Sequence, residues 1–189
     1  MHLATTDAAN ERLARDPLAL LIGMLLDQQI PMEKAFTSPE VLRERLGVPL
    51  DARTIAEYDA DAFEQLFRQP PALHRFPAAM AKRVQALARV LVEHFAGDAA
   101  AVWTTATSGS DLVARIAELP GFGVQKAKIF TALLGKQFGV RPPGWREAAG
   151  EYGVAGSLNS VADVVDAASL RAVRAHKREM KAAAKVAQG

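Results

Sequence analysis

One nine-residue segment constrains the fold of this chain more than any other: residues 119–127 read LPGFGVQKA. Its two glycines, Gly121 and Gly123, allow a tight turn whose backbone can take positive φ and can approach a ligand without a Cβ in the way. Helix-forming residues precede and follow the turn, and Leu119 and Phe122 are expected to anchor it in a core. The segment therefore predicts a hairpin between two helices.

The helix expected after this turn begins at Val124, so its first backbone N–H groups lack intrahelical acceptors and its positive dipole end points outward. Such N–H groups form a socket for a phosphate oxygen. Together with Gly121, Gly123 and Val124, the nearby Lys126 and Lys128 predict a grip on a DNA backbone, which carries no sequence information. The alternative is an ordinary helical hairpin with a glycine at the end of its first helix.

The rest of the chain also reads as a series of helices, because Ala, Leu, Arg, Glu and Lys dominate and segments of period-two alternation are scarce. Pro17 opens a nearly all-apolar segment, 18–28, which predicts a helix buried in the middle of a bundle. Pro31 predicts the start of the next helix, and the Ser-Pro-Glu run at 38–40 predicts the start of another. We therefore expect an all-α fold.

Charge is divided unevenly along the 189 residues, although the formal net charge is only +2. Residues 1–118 hold 12 Lys/Arg and 16 Asp/Glu, whereas residues 119–189 hold 11 and 5. This asymmetry indicates a surface that meets a polyanion, the alternative being a solvated basic face. The same two readings apply to the helix expected at 169–187, which carries Arg171, Arg174, Lys177, Arg178, Lys181 and Lys185.

Several classes of protein are disfavoured by composition. No segment approaches the 18 or more uninterrupted apolar residues of a membrane span, and the N-terminus lacks the pattern of a secretory signal. We therefore expect a cytoplasmic protein, associated with the nucleoid if it binds DNA. The absence of cysteine excludes disulfides, thiolate zinc sites and cysteine-ligated iron–sulfur clusters. The four histidines show no ligand spacing, so neither a transition-metal site nor an organic cofactor is expected.

The hairpin segment resembles the helix-hairpin-helix of the HhH-GPD superfamily of DNA glycosylases, which reads roughly Leu-Pro-Gly-Val-Gly with an alanine at the fourth position of the next helix. A second segment, 25–31, reads LLDQQIP and resembles the family segment whose one or two glutamines face the lesion. A third, 76–91, resembles the Lys/Arg-bearing helix that precedes the family hairpin. The resemblance covers about residues 17–140 and implies base-excision repair on double-stranded DNA by a monomer.

The resemblance also implies an architecture and several site roles. The fold would have two lobes, with a six-helix barrel at 17–136 and a second lobe formed by 1–16 and 137–189. Gln28 or Gln29 would fill the gap left by an extruded base, since an amide both donates and accepts hydrogen bonds. The carbonyls of such hairpins can hold a monovalent cation, so one is permitted here.

Two departures from the family pattern bear on the chemistry. Members that also cut the DNA backbone carry a lysine nucleophile at the second residue after the hairpin's second glycine, where this chain has Gln125. Lys126 follows about 100 degrees further round the helix and is expected to face elsewhere. The resemblance therefore implies a glycosylase without lyase activity.

The second departure concerns the family aspartate, which lies some seven residues beyond a Phe-Gly pair and assists departure of the base. That position is held here by Arg146, a cation that would oppose developing positive charge. Three readings stay open. Glu147 replaces the aspartate, another carboxylate such as Glu151 or Asp163 does so, or the chain binds DNA without cutting any bond. The leading hypothesis is a monofunctional DNA N-glycosylase; the alternatives are a non-catalytic lesion-binding protein and a helical protein–protein adaptor.

Overall fold

Helices account for all of the regular secondary structure in the part of the chain that is described. The computed structural model describes the backbone of residues 2–186 and the side chains of residues 2–183. Over that range the chain forms eleven α-helices, two short 3-10 turns and no strand, so the predicted all-α class is confirmed. The helices are α1 (Asp7–Arg15), α2 (Pro17–Leu26), α3 (Met32–Leu46), α4 (Ala52–Glu57), α5 (Ala60–Arg68), α6 (Pro77–Phe95), α7 (Ala101–Thr104), α8 (Gly109–Ala117), α9 (Val124–Gln137), α10 (Trp145–Ala149) and α11 (Ala167–Val186), and the 3-10 turns are Gly150–Gly153 and Val161–Asp163.

The buried helix predicted near the N-terminus is α2, in which every residue from Leu18 to Leu26 is buried. Its start is fixed by Asp16, whose carboxylate accepts the N–H groups of Leu18 and Ala19 at 3.0 and 3.1 Å, and by a proline in the first turn. Helices α1, α3 and α6 pack around it. Because α2 has no solvent-facing side, its position fixes where the chain emerging at its C-terminus must lie.

The helix start predicted at residues 38–40 is wrong, because α3 runs without a break from Met32 to Leu46 and contains Pro39. A proline inside a helix costs about 3 kcal/mol through its missing N–H and its ring. Here Pro39 and Ser38 are both buried. The Ser38 hydroxyl can donate to the Lys34 carbonyl at 2.8 Å or to the Leu73 carbonyl at 3.0 Å. Burial of this face of α3 outweighs the local penalty.

The chain that follows α10 is tied to α9 by Asp163. Its carboxylate accepts hydrogen bonds from the Lys136 ammonium, the Ser157 hydroxyl and the backbone N–H groups of Asn159 and Ser160. The last of these belongs to a capping box that begins the second 3-10 turn. Asp163 therefore has a structural role that occupies both of its oxygens.

Close packing of α10 against α8 and α9 depends on two glycines. A Cβ at Gly135 would lie 2.3 Å from the Trp145 ring, and one at Gly109 would lie 2.5 Å from the Gly144 carbonyl oxygen. Trp145 is buried and opens α10. The indole therefore lies against bare backbone of α9, which sets the position of the loop that follows.

This contact predicts a sign reversal for a substitution that ordinarily stabilises helices. Gly135→Ala should lower the free energy of unfolding in urea by about 1–3 kcal/mol, because the added methyl group overpacks the site, whereas alanine is worth about 1 kcal/mol more than glycine in an open helix. In a Trp145→Leu background the same change should be neutral or stabilising. An unchanged or higher urea midpoint for Gly135→Ala alone would contradict the packing described.

Candidate nucleic-acid interface

The turn between α8 and α9 has its large side chains inside and its glycines outside. Leu119 and Phe122 are 2% and 7% exposed, while Gly121 and Gly123 are both exposed. The Phe122 N–H donates to the Leu119 carbonyl at 3.0 Å and closes the turn. Only Gly121 uses the left-handed region, with φ of 83°, whereas Gly123 is extended. The geometry of the predicted hairpin is therefore present.

The first turn of α9 offers backbone N–H groups that donate to no acceptor among the described residues. Gly123 is the N-cap and supplies no side-chain acceptor, and the first bond of the helix runs from the Ala127 N–H to the Gly123 carbonyl at 2.8 Å. A Cβ at Gly123 would meet nothing within 4 Å, and Val124 is 60% exposed. An anionic oxygen can therefore approach these N–H groups at the positive end of the helix.

Lys126 turns away from solvent and joins the hairpin to α2. Its Nζ donates to the carbonyl oxygens of Met24 and Leu25, at 3.0 Å each, and lies 5.8 Å from the centre of the Phe122 ring. Burial lowers the pKa of Lys126 to about 8, with Asp27 opposing the shift. The Lys126 ammonium therefore interacts mainly with the last carbonyl groups of a buried helix. Less of its charge is available to a phosphate than the sequence predicted.

Lys128 lies further along α9, half-buried, and its ammonium makes no hydrogen bond or ion pair with any side chain or carbonyl among residues 2–183. Its charge is therefore available to a ligand at this end of the helix.

The two adjacent glutamines differ in their surroundings. The Gln28 amide is engaged on both sides: its Nε2 donates to the Leu25 carbonyl at 2.8 Å, and its Oε1 accepts from the Arg83 guanidinium at 3.1 Å. Gln29 is exposed, has φ of 56°, and its side chain bonds to none of the described residues. A positive φ in a non-glycine residue is strained, and such strain is found most often at functional sites.

His74 is buried beneath the loop between α2 and α3 and hydrogen-bonds its backbone. The ring is 1% exposed; its Nδ1 accepts the Phe76 N–H at 3.0 Å and its Nε2 lies 2.9 Å from the Gln28 carbonyl. Because a backbone N–H can only donate and a carbonyl can only accept, the ring is neutral and carries its proton on Nε2. Burial lowers the pKa of His74, which favours this form. Sequence reasoning gave His74 no role, and its spacing contains no signal for one.

A cavity of about 170 Å³ opens beside the loop and is called the Asp27 pocket here. Most of its lining comes from two regions that are distant in sequence: Asp27, Met32 and Glu33 at the junction of α2 and α3, and Leu170, Arg174 and Lys177 on α11. Val161 of the second 3-10 turn completes the lining. The volume of the pocket is similar to that of an apolar cavity that holds one benzene ring, about 150 Å³.

An ion pair closes the Asp27 pocket on one side. The Arg174 guanidinium donates to one Glu33 oxygen, and the other Glu33 oxygen is buried without a partner among the described residues. Glu33 lies in the first turn of α3 and Arg174 on α11. The pair therefore joins the two walls of the pocket.

Asp27 contributes a second carboxylate to the pocket wall. It is the C-cap of α2, and its carboxylate has no hydrogen-bond donor among the described residues. Burial raises the pKa of Asp27, Lys126 and Lys177 oppose that shift, and Glu33 reinforces it. The sequence pattern of residues 25–31 predicted no role for Asp27. The available signal was an acidic residue at the C-terminus of an apolar helix, where the dipole disfavours negative charge.

Gln125 and Arg146 hold the two positions at which the chain departs from the family pattern, and neither lines the Asp27 pocket. The Gln125 amide donates to the Tyr152 hydroxyl at 3.1 Å. Glu147 is exposed on α10, as is Arg146, whose guanidinium lies 4.6 Å from the centre of the Trp145 ring. Helix α10 begins against Gly135 near the C-terminus of α9, and the chain that follows it returns to the first turn of α9 at Tyr152. The structure thus brings Gln28 and Lys126 together on the Leu25 carbonyl, and Glu147 does not line the Asp27 pocket beside them.

Lys177 also lines the Asp27 pocket, whereas the other described basic residues of α11 apart from Arg174 do not. Arg171, Lys177, Arg178 and Lys181 are exposed, and the side chain of Lys185 lies outside the described residues. None of the helices within residues 2–186 has both the length and the apolar character of a membrane span.

The bare N-terminus of α9 predicts that a methyl group at Gly123 interferes with binding of DNA. Gly123→Ala should weaken duplex binding about tenfold, because hydrogen bonds to a charged oxygen contribute about 1.5–3 kcal/mol and the methyl group stands in its path. Ser108→Ala, which changes the N-cap of α8 instead, is the matched control and should bind DNA as the wild type does. Equal affinities of all three proteins in fluorescence anisotropy would contradict this use of the hairpin.

Comparison with known proteins agrees with this geometry. The profile of the HhH-GPD superfamily of base excision DNA repair proteins matches residues 22–188, which include the hairpin, both glutamines and the described walls of the Asp27 pocket. No curated protein matches the chain. The matched range covers far more than half of the 189 residues. The chain is therefore a member of the HhH-GPD superfamily of base excision DNA repair proteins.

Proposed function

We propose that this protein is a monofunctional DNA N-glycosylase, which extrudes a damaged base from duplex DNA and hydrolyses its glycosidic bond. Membership of the superfamily establishes base-excision DNA repair as the general process. The observation that carries the finer proposal is the direct link between the hairpin and the glutamine loop through Lys126. A phosphate socket, an exposed amide and a pocket for one ring all lie around that link.

The proposed roles follow from these positions. The N-terminus of α9, with Gly121, Gly123 and Val124, holds a phosphate beside the lesion. Gln29 fills the gap in the base stack, because its amide is free, whereas the Gln28 amide is already bonded within the protein. The extruded base occupies the Asp27 pocket. In this scheme Gln28 positions the loop that presents Gln29.

The absence of lyase activity is part of the proposal. A lyase needs an amine that attacks the sugar, and the corresponding position holds Gln125, whose amide donates to Tyr152. Lys126 is the nearest amine along the chain, and its hydrogens are directed at two carbonyl oxygens of α2. Both side chains favour a protein that releases a base and leaves the strand intact.

A monovalent cation at the hairpin is also proposed. The Leu119 and Gly123 carbonyls each accept one backbone hydrogen bond and keep one free lone pair, which suits a cation that prefers carbonyl oxygen ligands. Such an ion would add positive charge to the phosphate site. We further propose that the protein acts as a monomer on DNA of the nucleoid.

The proposal predicts release of a free base without strand cleavage. Duplexes carrying one uracil, hypoxanthine, oxidised purine or alkylated purine are incubated with the protein, and free base is measured by chromatography. At least one duplex should lose its base, remain uncut until alkali is added, and give no covalent adduct with borohydride.

Other outcomes separate the alternatives. Binding that weakens steeply with salt but releases no base would favour the non-catalytic DNA-binding protein. An absence of salt-dependent binding would favour the adaptor. Cleavage without alkali, or a borohydride adduct, would contradict the monofunctional assignment.

The role of Gln29 is tested by a substitution that keeps its backbone conformation. Gln29→Gly removes the amide but suits a positive φ, so the free energy of unfolding should stay equal or rise by up to about 1 kcal/mol. Binding of lesion-containing duplex should weaken about tenfold, as expected for loss of hydrogen bonds that replace a base.

The matched control is Ala96→Gly, at the other non-glycine position with positive φ among the described residues. It relieves the same kind of strain at the end of α6 and should leave DNA binding unchanged. Equal affinity for lesion duplex in both variants would assign gap filling to a residue other than Gln29.

A further inference from the structure

We propose that Asp27 is the carboxylate that assists cleavage of the glycosidic bond, acting on a sugar whose base occupies the Asp27 pocket. The inference rests on the proposed function, since it names the catalytic group of that reaction. It places the carboxylate at the end of α2, on a different element from the family position, which Arg146 holds.

The other candidate carboxylates are less suited to the role. Asp163 is occupied by four hydrogen bonds that hold the chain to α9. Glu33 is paired with Arg174 through one oxygen. Glu147 and Glu151 are exposed, and neither lines the Asp27 pocket. Asp27 alone combines a place in the pocket wall with a carboxylate that no described donor occupies.

The placement of Asp27 brings no evident benefit to folding. A carboxylate at a helix C-terminus faces the negative end of the dipole, and its partial burial removes some of the water that would solvate the charge. Lys126 and Lys177 offset part of that cost from α9 and α11, but neither forms an ion pair within 4 Å of Asp27. A residue that opposes the preferences of its own helix is most often retained for function.

The same features suit a reaction that develops positive charge. When the bond between C1′ and the base nitrogen breaks, both electrons leave with the base and the sugar becomes an oxocarbenium ion. The Asp27 carboxylate and the negative end of α2 together stabilise that cation.

Water completes the reaction. It adds to C1′ and transfers one proton to the Asp27 carboxylate, which passes it to solvent, while the departing base gains a proton from water at its free nitrogen. The products are the free base and an abasic sugar, so atoms and charge balance without a further reactant.

The proximity of Asp27 to the other proposed contacts supports this assignment. Gln29 is two residues further along the same loop, and the hairpin contacts the same end of α2 through Lys126 and through Gly121, where a Cβ would lie 3.2 Å from Leu25. If the hairpin holds the phosphate of the damaged nucleotide and Gln29 fills the gap in the base stack, the sugar of that nucleotide lies close to the end of α2.

The test compares an isosteric variant and a cavity-filling variant on whichever damaged duplex loses its base to the wild type. Asp27→Asn should slow base release at least about 100-fold, as expected for loss of an electrostatic catalytic group, and change duplex affinity less than about threefold. Its urea midpoint should equal or exceed that of the wild type, because a partly buried charge that faces the negative end of the α2 dipole is removed. Met32→Trp, which fills the pocket, should also abolish release while binding undamaged duplex normally.

Glu44→Gln, a change of an exposed carboxylate on α3, is the matched control and should release base at the wild-type rate. Wild-type rates in Asp27→Asn would overturn the assignment of Asp27 and leave the glycosylase proposal standing. The same conclusion follows if Glu147→Gln abolishes release and Asp27→Asn does not. Failure of the wild type to release any base from the full panel would overturn both.

Discussion

The two hydrogen bonds from the Lys126 ammonium to the last carbonyls of α2 are the contact on which the rest of the site depends. They join the two most informative sequence segments, which lie about a hundred residues apart in the chain. A half-buried ammonium is costly, and its lowered pKa reflects that cost, but helix-end carbonyls and a nearby carboxylate repay much of it. The hairpin and the glutamine loop are thereby held in one fixed arrangement.

Two helix ends of opposite polarity meet at this contact. The N-terminus of α9 presents unpaired N–H groups to solvent, and the C-terminus of α2 carries Asp27 beside a small cavity. One end suits the negative phosphate of a nucleotide and the other suits a sugar that becomes positive. The fold therefore places a positive helix end and a negative helix end next to each other. Both electrostatic fields arise mainly from the orientation of backbone groups and less from charged side chains.

Features set by local chemistry could be predicted from the sequence, and features set by remote partners could not. The hairpin, the buried α2 and the all-α class follow from glycine spacing and apolar patterning. The continuation of α3 through Pro39 could not be predicted, because burial of that face of the helix outweighs the local cost of a proline. The distinction between Gln28 and Gln29 depends on Arg83 and His74, and the pocket at Asp27 requires α11, far along the chain. The resemblance to the HhH-GPD superfamily could nevertheless be recognised from the hairpin and glutamine segments of this single sequence.

The hydrogen bond between Gln125 and Tyr152 has a consequence for what happens after the base is gone. An amide at that position cannot hold the opened sugar as a covalent adduct, so under the proposed function the product dissociates as a continuous strand with one coding position missing. Such a strand is chemically fragile and uninformative to a polymerase. Under the proposed function, a second activity must break the phosphodiester backbone at that position, by hydrolysis or by elimination, before the missing nucleotide can be replaced.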